Sequence, residues 1–134
     1  MNEAKTLVIR GNLVDIINRR TFGAEISILN GHIGKVIPTG QDEGSYLLPG
    51  FIDAHTHFDL DVCNTTTADD FTTGSRAALK GGTTTVIDFA CPNKGESLQY
   101  GLDLWHKKAD GRTFCDYGFH MTIDDWNESI RAEL

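Results

Sequence analysis

The first fifty residues carry short runs of β-branched and apolar residues, and residues 24–29 alternate apolar and polar positions with a period of two, both of which are typical of strands. The pattern predicts four strands, over residues 6–10, 13–17, 24–29 and 32–37. Gly11-Asn12 and Asn30-Gly31 are dipeptides of the kind that close hairpins. No helical period is present here, so this part of the chain predicts a small antiparallel sheet.

After Pro49-Gly50 the pattern changes to strands that alternate with helices. The strands are predicted at 51–55, 83–89 and 115–123, with helices at 67–79, from Ser97 to before Gly111, and from Asp124 onward. Thr67 and Ser97 are residue types that cap helix N-termini. Residues 83–89 show little alternation, which is typical of a strand buried on both faces. The order predicts parallel βαβ units.

Composition and charge narrow the function classes. The 134 residues are 40% hydrophobic and 23% charged, with 12 basic and 19 acidic residues and a net charge of −7. An acidic chain without a basic stripe argues against nucleic acid as a partner. No apolar run approaches the length of a membrane span, and residues 1–5 do not resemble the start of a secretory signal. Three cysteines cannot all pair with one another, so free thiols and a cytoplasmic location are expected.

The sharpest chemical pattern is the pentapeptide from Asp53 to His57. Side chains two apart in a strand lie on one face, so His55 and His57 are expected side by side. Two neutral imidazoles can bind one divalent metal such as zinc, and Asp53 on the same face could orient one of them. Most pairs of this spacing bind nothing, and a catalytic zinc usually has three protein ligands. The pair alone therefore predicts an incomplete site.

Other candidates are weaker. His120, near the end of the third strand, either faces a site or is a satisfied core histidine, and the core is favoured. His32 and His106 are expected on the surface. Asp88 is interpreted as a structural buried carboxylate or loop cap, and Gly81-Gly82 as a helix stop, because no phosphate-binding pattern surrounds it.

Two segments carry a resemblance to a known family. Residues 48–57 (LPGFIDAHTH) resemble the first metal-binding strand of the amidohydrolase superfamily. Residues 69–89 (DDFTTGSRAALKGGTTTVIDF) are similar to dihydropyrimidinases and D-hydantoinases, the cyclic-amide hydrolases, and residues 109–111 and 115–120 fit the same family. The resemblance extends over essentially the whole chain.

The resemblance implies an α/β fold: the first three strand–helix units of a (β/α)8 TIM-type barrel, preceded by part of a small β-sandwich. The division is expected at residues 1–48 and 49–134. The family's bridging lysine, aspartate base and other metal ligands come from later strands, so no catalytic residue is assigned here. The chain is expected to be an N-terminal portion that is inactive alone, and the full-length protein a homo-oligomer.

The resemblance also implies the chemistry. Two divalent metals, usually zinc, hold a hydroxide that attacks a ring amide carbonyl and opens a cyclic amide or ureide. His55 and His57 match the two histidines that hold the more buried metal. The loop at 58–67 matches one that borders the substrate's exocyclic group, which makes Leu60, Val62 and Cys63 candidate apolar contacts.

Three alternatives remain open. Dihydropyrimidinase-like proteins without catalysis act in assembly and interaction and have generally lost metal ligands, whereas this chain keeps His55 and His57. Allantoinases and dihydroorotases share the HTH strand, but the DDFxTGxxAA stretch at residues 69–78 favours the hydantoinase branch. A free-standing metal-binding or interaction module is the third.

Overall fold

The structure is a computed structural model that describes residues 6–134. Within this part the strands are β1 (Thr6–Asp15), β2 (Arg20–Leu29), β3 (His32–Pro38), β4 (Tyr46–Leu47), β5 (Phe51–Thr56), β6 (Asp61–Val62), β7 (Thr65–Thr66), β8 (Thr83–Ala90) and β9 (Asp116–Met121), and the helices are α1 (Phe71–Lys80), α2 (Leu98–Ala109) and α3 (Glu128–Ala132). The chain divides into two compact units, Met1–Pro49 and Gly50–Leu134. Residues 1–5, on which the expectation about a secretory signal depends, lie outside the described residues.

The first unit is a four-stranded sheet in the order β3-β2-β1-β4. The first three strands are antiparallel, as predicted, and β4 adds in parallel to β1. The hairpin turn expected at Asn30-Gly31 is confirmed, with φ of 50° and 81° at the two residues. These left-handed conformations match the right-handed twist of the flanking strands.

The turn predicted at Gly11-Asn12 is wrong, because β1 runs through it without a break. A Cβ at Gly11 would lie 2.5 Å from Leu47 Cγ, so the glycine allows β4 to approach β1 closely. The chain reverses instead just before β2, where Arg19 has a φ of 51°. Gly11 therefore indicates a close approach of two strands and not a turn.

The second unit contains a parallel sheet in the order β5-β8-β9. Its three strands and the α2 helix match the predicted elements, and Ser97 caps α2 by accepting from the Tyr100 backbone N–H at 3.0 Å. The core lies on one face of the sheet, where Phe71 and Trp105 from the two long helices meet Ala90. The expected burial of β8 on both faces is wrong for the described residues, since its buried and half-buried positions alternate.

Two helix starts differ from the prediction. The α1 helix begins after Asp70, whose carboxylate accepts the backbone N–H groups of Thr72 and Thr73 at 2.9 and 2.8 Å. Thr67 instead accepts the Leu60 backbone N–H at 3.0 Å and stays in the preceding loop. The last helix is capped by Asn127 rather than opened by Asp124.

Within residues 6–134, no helix combines the length and apolar character needed to cross a membrane. The three cysteines are free thiols, as expected, with Cys63 exposed and Cys91 and Cys115 half-buried.

Candidate functional site

The two predicted histidines meet at the carboxyl end of β5. Their Nε2 atoms lie 3.1 Å apart, and the rings are T-shaped with centroids separated by 5.0 Å. A tetrahedral zinc with ligand nitrogens at 2.0–2.1 Å places two of them about 3.3 Å apart. The donor geometry of His55 and His57 therefore fits one divalent metal, and both side chains are exposed.

The ring of Phe89, on the neighbouring strand β8, forms an apolar floor beneath the pair. Its centroid lies 4.5 Å from that of His55 and 5.1 Å from that of His57. Because β5 and β8 are parallel, both strands end at the same edge of the sheet, where α/β proteins build their sites. Phe89 restricts how the imidazoles can turn and leaves their Nε2 atoms free to converge.

Asp88 is fully buried behind this face, and its carboxylate accepts four hydrogen bonds. Oδ2 accepts from Thr56 Oγ1 at 2.9 Å and from the Phe58 backbone N–H at 2.8 Å. Oδ1 accepts from the backbone N–H of the adjacent residue, Phe89, at 2.8 Å and from Trp105 Nε1 at 3.1 Å. The structural role expected for Asp88 is confirmed, and its contacts reach the segment that carries both histidines.

Asp53 does not contact either imidazole. Its Oδ1 accepts the backbone N–H of His55 at 3.2 Å, so the carboxylate supports the strand rather than the ring. The orientation of a ligand by Asp53 stays a prediction.

His120 is exposed on the same face as the pair, so the favoured core position is wrong. Its ring lies 4.8 Å from Phe89, and Nε2 donates to the Ala54 carbonyl oxygen at 3.1 Å. Alternation along β9 could have shown this, because Phe119 and Met121 pack against the core and His120 must face away.

The other two histidines lie at the surface, as predicted. His32 is exposed at the start of β3. His106, on α2, pairs with Asp110 at 3.0 Å between Nδ1 and Oδ1. The Tyr117 hydroxyl donates to the same carboxylate, which lowers the pKa of Asp110 and raises that of Tyr117. This cluster joins the end of α2 to β9.

The loop at 58–67 folds as a small hairpin of β6 and β7. Cys63 and Asn64 form its tip with φ of 51° and 60°. Val62 is 47% exposed and Cys63 is exposed, whereas Leu60 packs against the core cluster around Trp105. Substrate contact by Leu60, Val62 and Cys63 stays a prediction, and the packing makes Leu60 an anchor of the loop.

Within residues 6–134, no group of three or more His, Cys, Asp or Glu side chains is arranged to hold a metal ion. His55 and His57 alone do not complete such a site, and metal binding by them stays a prediction. Neutral imidazoles of this kind suit zinc and similar divalent ions.

The fold is α/β, with the histidine pair at the carboxyl end of a parallel strand, and comparison with known proteins identifies the family. The model of the amidohydrolase family matches residues 46–122, more than half of the chain. The chain belongs to the amidohydrolase family, and its relatives there include hydantoinases and dihydropyrimidinases, which are hydrolases of cyclic amides.

Three relatives illustrate the match. The chain is 41% identical over 140 residues to a D-hydantoinase of Streptomyces coelicolor, and this alignment covers 95% of the chain and 30% of that protein. It is 95% identical over 59 residues to an adenine deaminase of Parabacteroides distasonis, which covers 44% of this chain and 11% of that protein. It superposes on a crystal structure of D-hydantoinase with a TM-score of 0.86 at 38% identity, over 96% of this chain and 30% of the other. The α/β fold is thus shared with D-hydantoinase, and the chain spans less than a third of the length of these relatives.

Proposed function

We propose that the complete protein containing this sequence is a metal-dependent hydrolase that opens a ring C–N bond of a cyclic amide or ureide. The observation that carries the proposal is the convergence of His55 and His57 Nε2 to 3.1 Å at the carboxyl end of β5. Two ring nitrogens at this separation have the geometry of two ligands on one tetrahedral ion. Near-complete coverage of the chain by hydantoinase matches favours a cyclic amide as substrate.

The fold proposal is that Gly50–Leu134 forms the first three strand–helix units of a (β/α)8 barrel and that the preceding unit is part of a β-sandwich. The TM-score of 0.86 with D-hydantoinase supports it. The division at 48/49 expected from the sequence differs by one residue from the division between the compact units. In a barrel of this kind, the exposed face that carries the histidines would point inward.

His55 and His57 would hold a divalent ion, for which we propose zinc, with its further ligands, and a second ion, supplied from outside the described residues. When bound, such an ion polarises a carbonyl and makes water a nucleophile at neutral pH. The neutral imidazoles would bind it through Nε2, and Phe89 would keep water away from one side of the rings. Val62, at the end of β6, and Cys63, at the tip of the 58–67 hairpin, would contact the group attached to the substrate ring.

The test replaces each histidine with alanine in the complete protein, with His106→Ala as the matched surface control. His55→Ala and His57→Ala should each lower the zinc content and reduce ring opening of dihydrouracil and hydantoin by at least about 100-fold. His106→Ala should leave both unchanged, because its ring is paired with Asp110. Unchanged zinc and turnover in the His55 and His57 variants would show that the assignment is wrong.

The alternative hypothesis is that the complete protein is a non-catalytic assembly protein. It is disfavoured because both histidines are present and their nitrogens already converge. A complete protein that binds no zinc and turns over neither cyclic amides nor adenine would favour it instead.

The near-identity to an adenine deaminase over 59 residues supports a second candidate, hydrolytic deamination of adenine. Both reactions add water at a ring carbon bonded to nitrogen, but only deamination releases ammonia. The purified complete protein should therefore be offered adenine and hydantoin separately, with ammonia and the ring-opened acid measured in each case. Ammonia from adenine alone would replace the first proposal with the second.

The 134-residue chain alone is proposed to be inactive, because two histidines do not complete a catalytic metal site. A cytoplasmic location and a homo-oligomeric complete protein stay predictions from the sequence.

A further inference from the structure

Asp88 is a buried carboxylate whose four hydrogen-bond donors are all neutral groups. Removing a carboxylate from water is unfavourable unless hydrogen bonds replace those lost, and here each oxygen accepts two. Every buried side-chain polar atom among the described residues has a partner, so the arrangement is fully satisfied. Such a rigid acceptor fixes the position of whatever donates to it.

The donors lie where the backbone ladder between β5 and β8 is irregular. Asp53 pairs with Val86 and Thr56 pairs with Asp88, and the register shifts between these two pairs. The part of β5 that carries His55 therefore lacks a regular ladder. Side-chain acceptors and donors from the neighbouring strands hold it instead.

The Asp88 carboxylate accepts hydrogen bonds from the residues on both sides of His57. Thr56 precedes this histidine and Phe58 follows it, and both donate to the same oxygen, Oδ2. The indole N–H of Trp105 holds the other oxygen, so the carboxylate cannot turn away. Trp105 is itself 3% exposed and stacks under the Lys108 ammonium at 4.6 Å from its ring.

We propose that Asp88, held by Trp105, is a positioning residue that sets the backbone of residues 56–58 so that His57 Nε2 lies beside His55 Nε2. The inference rests on the proposed function only in treating this pair as metal ligands. Loss of groups that orient a ligand typically costs 10–100-fold in metal affinity. The donors to Asp88 should therefore affect metal binding although none of them touches the metal.

The test uses Thr56→Val, which has nearly the same shape but no hydroxyl donor, and Trp105→Phe, which removes the indole N–H. Thr56→Ser restores the donor and serves as the rescue. Ser75→Ala is the matched control, because Ser75 is also fully buried and its hydroxyl donates to Phe71 O and accepts from Phe114 N, outside residues 55–58. Asp88→Asn extends the series if it folds.

Two quantities are measured in the complete protein: hydrogen exchange of the Phe58 amide without metal, and the affinity for Co²⁺ from its visible absorption. Thr56→Val and Trp105→Phe should speed exchange at Phe58 and weaken Co²⁺ binding by about 10–100-fold. Thr56→Ser should restore both, and Ser75→Ala should lower the melting temperature while changing neither. Wild-type exchange and Co²⁺ affinity in folded Thr56→Val and Trp105→Phe would overturn the inference.

The two proposals can fail separately. If the wild type takes up no Co²⁺, or if His55→Ala binds it equally well, the metal site is wrong. Exchange at Phe58 would still decide whether Asp88 holds this segment, since that measurement uses the metal-free protein.

Discussion

Phe58 follows His57 directly, and its ring occupies space that only a glycine on α1 leaves open. A Cβ built at Gly74 would lie 2.3 Å from Phe58 Cε1, far inside van der Waals contact. The same ring packs at a right angle to Phe71, with centroids 5.6 Å apart. Side-chain packing on α1 therefore affects the position of Phe58 and, through the backbone, that of the preceding His57.

Gly74→Ala should destabilise the protein by about 1–3 kcal/mol, because the added methyl group overpacks the contact with Phe58. The gain in helix propensity, up to about 1 kcal/mol, offsets only part of this. Urea denaturation measures the change. Gly118→Ala is the control, since a Cβ there meets nothing within 4 Å. Equal stability of the Gly74 variant and the wild type would mean that Phe58 moves aside without cost.

At the scale of the elements, the start of α1 depends on one carboxylate. Asp70 accepts the backbone N–H of Thr73, which is the main reason that its pKa lies below the ordinary value for aspartate. Arg112 pairs with the other oxygen at 2.7 Å. Both side chains of this ion pair are partly exposed. The hydrogen bonds of the cap, rather than the ion pair, should therefore account for most of the stabilisation by Asp70.

The lowered pKa predicts a pH dependence of stability. A carboxylate with a lowered native pKa stabilises the fold above the ordinary aspartate pKa of about 3.9, and this stabilisation is lost as the pH falls through the native pKa. Asp70→Asn keeps a cap oxygen without the charge, so its melting temperature should fall less than that of the wild type between pH 5 and pH 2. Asp69→Asn removes a neighbouring charge as a control. Identical pH profiles for Asp70→Asn and the wild type would contradict the prediction.

Periodicity predicted most of the longer elements, because it reflects burial along one segment, but it divided β1 into two strands and missed the two-residue strands β4, β6 and β7. It could not place their ends. Thr67 and Asp70 are both residue types that cap helices, and only the folded chain shows which one meets free backbone N–H groups. Gly11 was misinterpreted for a related reason, since a glycine that closes a turn and one that admits a neighbouring strand look alike in sequence.

At the scale of the whole molecule, the candidate site combines residues from three strands. The pairing of His55 with His57 was predictable because both lie on one strand with the period of two. The contacts of Phe89 and His120 with this face depend on the order β5-β8-β9, and those of Asp88 depend on a shift in strand register. Such relations between strands carry no local signal in one sequence.

The strand β5 leaves large apolar side chains exposed on both of its faces. Phe51 is 57% exposed and Ile52 is 66% exposed, and residues 51–55 are all exposed, so neither face of the strand is covered among the described residues. Parallel sheets are normally covered on both faces. The sheet order also leaves β9 at an edge within the described residues, and an unpaired parallel edge invites association.

The isolated 134-residue chain should therefore self-associate, and Ile52→Thr should reduce that association without loss of stability. In the chain alone Ile52 contributes little burial, so the change should alter the free energy of unfolding by no more than about 0.5 kcal/mol. In the complete protein, a covered Ile52 would contribute roughly 1.5–3 kcal/mol, and the same substitution should destabilise. Val86→Thr is the control. Val86 is 0% exposed, so this substitution should lower the stability of both the chain alone and the complete protein. Sedimentation velocity measures the association, and urea denaturation measures the stability. A monodisperse wild-type monomer would contradict the predicted self-association, and an equally small effect of Ile52→Thr in the chain alone and in the complete protein would show that nothing covers this face of β5.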